Sequence, residues 1–276
     1  MTAEANVEEL AALVNNGDVL GLPTSTGDYA ACSMVATRAL IRRGLKDLNL
    51  VLVPSSGIQA DMLIGAGCVR SIQNGVISLS EYGAAPRYVD AQRRGRILVK
   101  ESTCPAIEAA LTAAERGLPF MPVRGILGSD IVRLRANEWM VIDNPYPPGD
   151  PILLVPAIKP DVALIHAPLA DRFGNIWIGR NGHARVLSHA AKMTLATFER
   201  WYEGNLFDDP VRASGVLPAQ YVRAISHQPR GAWPLGFGDE YPEDAEEMRT
   251  YAERAKTDEG FASYLRERVH DVAEVV

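Results

Sequence analysis

The sequence predicts an α/β fold in which an open, mainly parallel sheet is flanked by helices and followed by C-terminal helices. Short apolar runs alternate with helix-period segments over about the first 200 residues of the 276-residue chain, which is typical of βα units. Several runs, such as Leu50–Val53 and Ile152–Val155, consist of Val, Leu and Ile without a break. Unbroken apolar runs indicate strands covered on both faces, as in parallel sheets.

The apolar runs predict strands that are bounded by polar, glycine or proline residues. The predicted strands are Val19–Leu22, Leu50–Val53, Val69–Gln73, Val76–Leu79, Ile97–Val99, Ile152–Val155, Val162–His166 and Met193–Phe198. Apolar residues at helical spacing predict helices over Ser33–Arg43 and Pro105–Arg116. Pro105 suits a first helical turn, and Ser102 or Thr103 is the expected cap.

Two further segments bear on domain organisation. Asp143–Pro151 is dense in proline and glycine, and we expect it to be an extended crossover loop within one core, not a domain linker. From Glu240 onward the chain is charged, with apolar stripes at helical spacing. We therefore expect a single domain over residues 1–276, in which residues from about 240 to 276 form a helical extension packed on the sheet.

Composition narrows the classes of function. The formal net charge of -6 argues against nucleic acid or an anionic membrane as a partner. The three cysteines include no CxxC pair, and the acidic N-terminus does not resemble a signal peptide, so we expect a cytoplasmic protein with reduced thiols. The five histidines lack metal-binding spacing, so no metal is predicted, and P-loop, HExxH and GxSxG motifs are absent from the sequence.

Candidate binding residues stand where strands end. Ser55 and Ser56 follow the second predicted strand and open a helix, a position that lines the ligand crevice of α/β sheets. The alternative is that these serines simply cap the helix. Cys104 lies between a strand end and a helix N-terminus, where a thiol can become reactive. We favour a pocket-lining role for Cys104 over that of a nucleophile, with a small buried apolar residue as the alternative.

A glycine-containing segment, Gly117–Asp130, supplies further candidates. Its residues Arg124, Gly128 and Ser129 are expected to contact substrate, because glycine allows the backbone to approach a ligand closely.

Three stretches together carry a resemblance to a known family. They are DMLIGAGCVR from Asp61, GLPFMPVRGILGSD from Gly117, and IDNPYPPGDPILLVPAIKPDVALIHAPLADRFGNIWIG from Ile142. In order and spacing they resemble the A (alpha) subunit of glutaconate-type family I CoA-transferases, and the resemblance covers nearly the whole chain. It implies the sheet architecture shared with sugar-phosphate isomerases, a B (beta) subunit of the same fold as partner, and an α2β2 assembly.

The resemblance also implies a reaction. In the family a glutamate on the B chain attacks the thioester carbonyl of an acyl-CoA, and CoA passes through a glutamyl-CoA thioester to a second carboxylic acid. No cofactor is bound, and coenzyme A takes part as a moiety of the substrates. The A chain contributes part of the acyl pocket and some of the groups that stabilise the oxyanion.

Comparison with the family adds candidate site residues at two places in the chain. After the first strand the family usually carries a glycine pair, whereas this chain has Thr24, Ser25 and Thr26, whose hydroxyl and N–H groups can form an anion-binding turn. Glu81, in Ser-Glu-Tyr-Gly, resembles the placement of the catalytic glutamate in the partner chain, so it is the catalytic candidate here. The alternative for Glu81 is a loop carboxylate, solvated or paired with Arg87.

Two other functions stay open. A related branch consists of hydrolases that open a ring in steroid-derived CoA thioesters, with a catalytic glutamate on the A chain. The matching position here is Cys104, and Glu101 stands three residues earlier. The same sheet also serves effector-binding domains, so a non-catalytic ligand sensor is the third possibility, disfavoured by the lack of a helix-turn-helix segment and a basic face.

Overall fold

The computed structural model of the chain describes residues 2–24, 32–53 and 55–271. The strands are β1 (Ala3–Glu4), β2 (Val19–Pro23), β3 (Leu48–Val53), β4 (Ser55–Ser56), β5 (Val69–Asn74), β6 (Val76–Ile77), β7 (Leu98–Glu101), β8 (Phe120–Val123), β9 (Met140–Asp143), β10 (Pro151–Pro156), β11 (Val162–Asp171), β12 (Ile176–Trp177), β13 (Met193–Tyr202), β14 (Val216–Leu217) and β15 (Val222–His227). The α-helices are α1 (Val7–Ala11), α2 (Met34–Arg42), α3 (Ile58–Gly65), α4 (Pro86–Arg93), α5 (Cys104–Glu115), α6 (Asp130–Leu134), α7 (Gly182–Ala190), α8 (Ala245–Arg254) and α9 (Asp258–Leu265).

The large sheet has the strand order β1-β15-β13-β11-β2-β3-β5-β7. Every neighbouring pair along this path is parallel, which confirms the predicted open parallel sheet. All ten residues of the central strand β11 are buried, including the polar residues His166 and Asp171, as in a strand covered on both faces. All eight predicted strands overlap strands of the structure: six match β2, β3, β5, β7, β11 and β13 of this sheet, Val76–Leu79 overlaps the short β6 that pairs with β4, and Ile152–Val155 overlaps β10 of a second sheet.

Helices cover both faces of the sheet because successive side chains of each strand point to opposite sides. On one side, Leu20 and Leu50 pack with residues of α1, α2 and α3. On the other side, Val51 packs with Ile107 of α5 and Leu187 of α7. Thr103 caps α5 and accepts a hydrogen bond from the N–H of Ala106, as predicted. No helix within the described ranges is long and apolar enough to span a membrane.

A small antiparallel sheet, in the order β8-β10-β9, lies beside α5. The prediction that Asp143–Pro151 is a crossover loop is wrong, because Asp143 pairs with Pro151 and the segment closes a hairpin between β9 and β10. The predicted strand Ile152–Val155 belongs to this small sheet and not to the parallel one. Apolar runs indicate strands but not their pairing partners, so the chain pattern alone did not separate the two sheets.

The C-terminal helices α8 and α9 pack on the same core as α2 and α3. Tyr251 and Tyr264 are fully buried in that core. The Tyr251 hydroxyl donates to Oδ2 of Asp61 in α3 at 2.6 Å. Arg87 of α4 forms an ion pair with Asp258 at 2.6 Å, so both C-terminal helices are tied to α3 and α4.

Candidate functional site

The carboxyl ends of four neighbouring strands, β2, β3, β5 and β7, bring five of the ten predicted binding residues to one edge of the sheet. Thr24 follows β2, and Ser55 and Ser56 extend the line of β3 as β4. Asn74 ends β5 and pairs in register with Glu101 at the end of β7. In open parallel sheets this edge is where ligands bind, so the placement supports a site here.

The turn after β2 contacts the extension of β3. The hydroxyl oxygen of Thr24 lies 3.3 Å from that of Ser55, and Thr24 is buried. Ser25 and Thr26 lie outside the described residues. The two described hydroxyl groups therefore form one polar pair at the strand ends, each able to turn a proton toward a ligand.

Three hydroxyl or amide oxygens at this edge are buried without a hydrogen-bond partner among the described residues. They belong to Ser56, Asn74 and Ser102, whose side chains are 3%, 4% and 5% exposed. A buried polar group without a partner costs about 1–3 kcal/mol, so three of them at adjacent strand ends indicate a place for a polar ligand. The alternative that the serines cap α3 is wrong, because Gly57 occupies the cap position and no side chain caps the helix.

Glu101 lies beside a tyrosine at the end of β7. Burial and the nearby Glu101 carboxylate raise the pKa of Tyr88, and the Asn74 amide opposes them. The Tyr88 hydroxyl is therefore neutral at physiological pH. The guanidinium of Arg135 donates to the backbone carbonyl of Glu101 at 2.8 Å and holds the strand end in place.

Cys104 is the first residue of α5 and is half-buried at the same edge. The helices α5 and α7 pack side by side with the same direction, since His183 approaches Glu108 at 4.0 Å and His189 binds Glu115 at 2.8 Å. Both helix N-termini therefore point to the strand-end edge, where their positive dipole ends favour negative charge. This placement fits a pocket-lining role for Cys104.

Glu81 lies on an exposed one-turn 3-10 helix, Ser80–Tyr82. That helix follows β6, which pairs with β4, so Glu81 belongs to the segment that continues past Ser55 and Ser56. Arg87 is not its ion-pair partner, because the Arg87 guanidinium binds Asp258 instead. Glu81 is accordingly an accessible carboxylate on the rim of the strand-end edge.

The remaining candidates lie on the small antiparallel sheet and its connections. Arg124 is exposed and forms an ion pair with Asp150. Gly128 has a φ of 82° with open space around its α-carbon, and the Ser129 hydroxyl donates to the Ile126 carbonyl at 2.8 Å. These three residues are held by local contacts and do not follow any strand of the parallel sheet.

Sequence reasoning missed Asn74 and Tyr88, and it treated Ser102 only as a possible cap. A signal for Asn74 was present, because an amide directly follows the predicted strand Val69–Gln73. Nothing local marks Tyr88, whose position depends on how α4 packs beside β7. In the described ranges no three His, Cys, Asp or Glu side chains cluster in a way that could hold a metal ion.

The sequence matches no protein-family model. It is 30% identical over 269 residues to the A (alpha) subunit of 3-oxoadipate CoA-transferase from Pseudomonas knackmussii, covering 95% of this chain and 91% of that one. The chain belongs to the family of CoA-transferase A subunits. The crystal structure of glutaconate coenzyme A-transferase from Acidaminococcus fermentans superimposes on this chain with a TM-score of 0.89, at 26% identity over 98% of this chain and 90% of that chain.

A relative with a different reaction is equally similar. The cholesterol ring-cleaving hydrolase IpdA subunit of Rhodococcus jostii is 31% identical over 240 residues, which cover 84% of this chain and 80% of the hydrolase chain. Family membership thus fixes the fold and identifies the chain as a CoA-transferase A subunit, and the similarity to the hydrolase makes ring opening the alternative reaction.

Proposed function

We propose that this chain pairs with a B (beta) subunit to form a CoA-transferase that moves CoA between an acyl-CoA thioester and a carboxylic acid. The observation that carries the proposal is nearly full-length similarity to A subunits named for CoA transfer, combined with three buried oxygens at the strand-end edge that have no hydrogen-bond partner among the described residues. We further propose an α2β2 assembly in the cytoplasm.

The proposed reaction needs one carboxylate nucleophile and donors for the developing oxyanion. A glutamate on the B chain attacks the thioester carbonyl, the C–S bond breaks, and an acyl–glutamyl anhydride and CoA thiolate form. The thiolate then attacks the glutamyl carbonyl and releases the first acid, which leaves glutamyl-CoA. A second acid repeats these steps in reverse. Charge is conserved throughout, so neither a metal nor a redox partner is required.

This chain supplies binding groups in the proposal. Hydroxyl and N–H groups at the strand ends would hold the acid carboxylate and the oxyanion. The substrate-contacting residues we propose are Thr24, Ser25, Thr26, Ser55, Ser56, Glu101, Cys104, Arg124, Gly128 and Ser129. Glu81, on the rim, would add a carboxylate beside the pocket, with the nucleophile on the B chain.

An exposed apolar face of the small sheet supports the proposal that a partner chain binds this one. Its strand register places Phe120, Met140 and Ile152 on the face directed away from α5, opposite to Leu153. Phe120 and Met140 are 42% and 62% exposed, and no charged residue shares that face within β8, β9 and β10. An apolar face of this kind is typical of a surface that is covered in an assembly.

The test uses the two chains expressed together and each chain by itself. The complex should transfer CoA between acids, and borohydride should inactivate it only after exposure to an acyl-CoA, because borohydride reduces the glutamyl-CoA thioester. Transfer at full rate by this chain alone would refute the two-chain proposal. Turnover of an acyl-CoA without borohydride inactivation would refute the glutamyl-CoA step.

Ring-opening hydrolysis is the second candidate, because the R. jostii hydrolase chain is as similar as the transferases. Cys104 stands where that branch carries a catalytic glutamate on the A chain, which favours transfer. A B chain with a glutamate in a Ser-Glu-Asn-Gly-like motif would favour transfer further. Hydrolysis predicts incorporation of solvent ¹⁸O into the product acid without a CoA acceptor, whereas transfer requires one.

A further inference from the structure

A cavity of about 300 Å³ lies between the parallel sheet and the small antiparallel sheet. Ser71 and Gln73 of β5 line it from the α5 side of the parallel sheet, because Ile72 between them packs in the core with α2 and α3. Trp139 and Val155, which pack beside α5, line the cavity from the small sheet. The cavity therefore has a polar lining on one side and an apolar lining on the other.

The cavity is a different place from the pair of hydroxyl groups at the strand-end edge. Asn49 lines the cavity and stands four residues before Val53, the last residue of β3. Strands rise about 3.3 Å per residue, so Asn49 lies about 13 Å from that strand end. On the β7 side the cavity reaches Lys100, which directly precedes Glu101. It thus begins near the start of the central strands and extends toward the end of β7.

Positive charge dominates the lining of the cavity. Its charged residues are the three cations Lys100, Arg135 and Lys159 and the one carboxylate Glu138, which leaves a net charge of +2 on a chain whose formal charge is -6. Glu138 lies 2.9 Å from Lys100 Nζ and 2.7 Å from Arg135 Nη2. Burial acts to raise the pKa of Glu138, but these two cations outweigh burial and lower the pKa, so the carboxylate is ionised at neutral pH.

Arg135 has one N–H donor that its neighbours leave unused. Its side chain is 6% exposed and stacks over the Trp139 ring at 4.7 Å. Nη1 donates to the Glu101 carbonyl and Nη2 to Glu138, but Nε is buried without a hydrogen-bond partner among the described residues. A buried charged donor without an acceptor is costly, so this N–H indicates a place for an acceptor that the chain itself does not supply.

We propose that this cavity binds the phosphate group of a small phosphate monoester, with Arg135, Lys100 and Lys159 as its cationic contacts. Such a group carries a charge of about -2 at neutral pH, which matches the charge of the lining. A cavity of this volume is at the small end of ligand sites and accommodates a phosphate with a ring-sized group, which Trp139 and Val155 would contact. The inference goes beyond the proposed CoA transfer and does not depend on it.

Lysine labelling of the full chain tests the proposal with phenyl phosphate as the probe. Lys159 is exposed, so formaldehyde and a borohydride reagent should methylate it readily, and mass spectrometry reports each lysine separately. At about 10 mM phenyl phosphate, methylation of Lys159 should slow at least about threefold compared with potassium chloride of equal ionic strength, because the bound phosphate shields the ammonium group. Lys256, which is exposed and does not line the cavity, is the internal control and should react at the same rate in both salts.

Calorimetry with matched variants provides a second measurement. Lys159→Gln should weaken phenyl phosphate binding by about 5-fold to 20-fold, because it removes a charge-assisted contact. Arg133→Gln is the control, since Arg133 is exposed and pairs with Asp130 outside the cavity, and it should leave the affinity unchanged. Arg135→Gln should abolish binding, but it also removes the bond to Glu101, so Lys159→Gln at its exposed position is the deciding variant. Equal labelling of Lys159 in both salts, or equal affinity of Lys159→Gln and the wild type, would overturn the proposal.

Competition with phenyl phosphate identifies the source of the phosphate group. Displacement by CoA but not by 3′-dephospho-CoA would assign the site to the 3′-phosphate of CoA. Displacement by neither would support a separate phosphate ester as the ligand. Displacement by both would overturn the assignment to a monoester, because dephospho-CoA retains only the pyrophosphate.

Discussion

Replacing Asp61 by asparagine should make the stability of the chain less dependent on pH. Asp61 is fully buried, and it accepts from the Tyr251 hydroxyl at 2.6 Å and from the N–H of Tyr88 at 2.7 Å. Burial raises the pKa of Asp61 to about 6, in spite of these hydrogen bonds. The carboxyl group is therefore neutral at low pH in the folded state and ionised at a cost above pH 6.

The sign and the size of the effect of Asp61 on the pH dependence of stability follow from thermodynamic linkage. The folded pKa lies above the unfolded value of 3.8, so the contribution of Asp61 to stability is complete below pH 4 and is lost as the pH rises through 6. One pKa unit corresponds to about 1.4 kcal/mol, so the loss amounts to about 3 kcal/mol above pH 7. Asparagine does not ionise, and its own effect on packing and hydrogen bonding is a constant offset.

The assay is urea unfolding of the full chain at several values between pH 4 and pH 7.5, followed by circular dichroism. The difference in free energy of unfolding between Asp61→Asn and the wild type should move by about 3 kcal/mol in favour of the variant across this range. Using the difference cancels other titrating groups. A difference that stays constant with pH would refute the reasoning, because Asp61 would then not titrate in this window.

Four further variants probe the candidate site in the two-chain complex. Ser56→Ala and Ser102→Ala should each raise the KM for the acid substrate about tenfold, since a lost hydrogen bond costs about 1–1.5 kcal/mol. Neither substitution should lower the melting temperature, since neither hydroxyl has a partner among the described residues. A lower melting temperature with an unchanged KM would contradict this expectation. Glu81→Gln should change KM and keep kcat within about tenfold, because the nucleophile is expected on the B chain, and complete loss of the rate would make Glu81 the nucleophile. Cys104→Ser should keep kcat within about threefold, whereas inactivity would indicate a catalytic thiol.

The sequence predicted the parallel sheet because the local apolar pattern of most of its strands identifies them. β11 is buried along its whole length, and it opens with four consecutive apolar residues, 162–165, a pattern typical of a strand covered on both faces. β15 escaped prediction because polar residues, including the exposed Arg223 and His227, interrupt its apolar positions, so it contains no continuous apolar run. The hairpin of β9 and β10 was missed since pairing direction is a tertiary property.

The candidate site likewise contains some features that the sequence could predict and others that it could not. Residues that directly follow strands, such as Thr24 and Ser55, could be predicted, because parallel strand ends always meet at one edge. The absence of partners for Ser56 and Ser102 within the described ranges depends on every neighbouring side chain, so no sequence pattern contains it. The hydrogen bonds of the buried His166 to Thr197 and Glu199 needed the register of β11 against β13, which places residues from distant parts of the chain side by side.

The hydrogen bond between Asp61 and Tyr251 sets an order of events during synthesis. The two residues are separated by 190 positions, so the ribosome needs roughly 10 to 40 s to make the chain between them. During that interval α3 has emerged, but the helices that complete its core have not been translated. A nascent chain in this state exposes apolar surface to other proteins. Early termination before α8 would leave the largest core open permanently, so quality control should remove such products quickly.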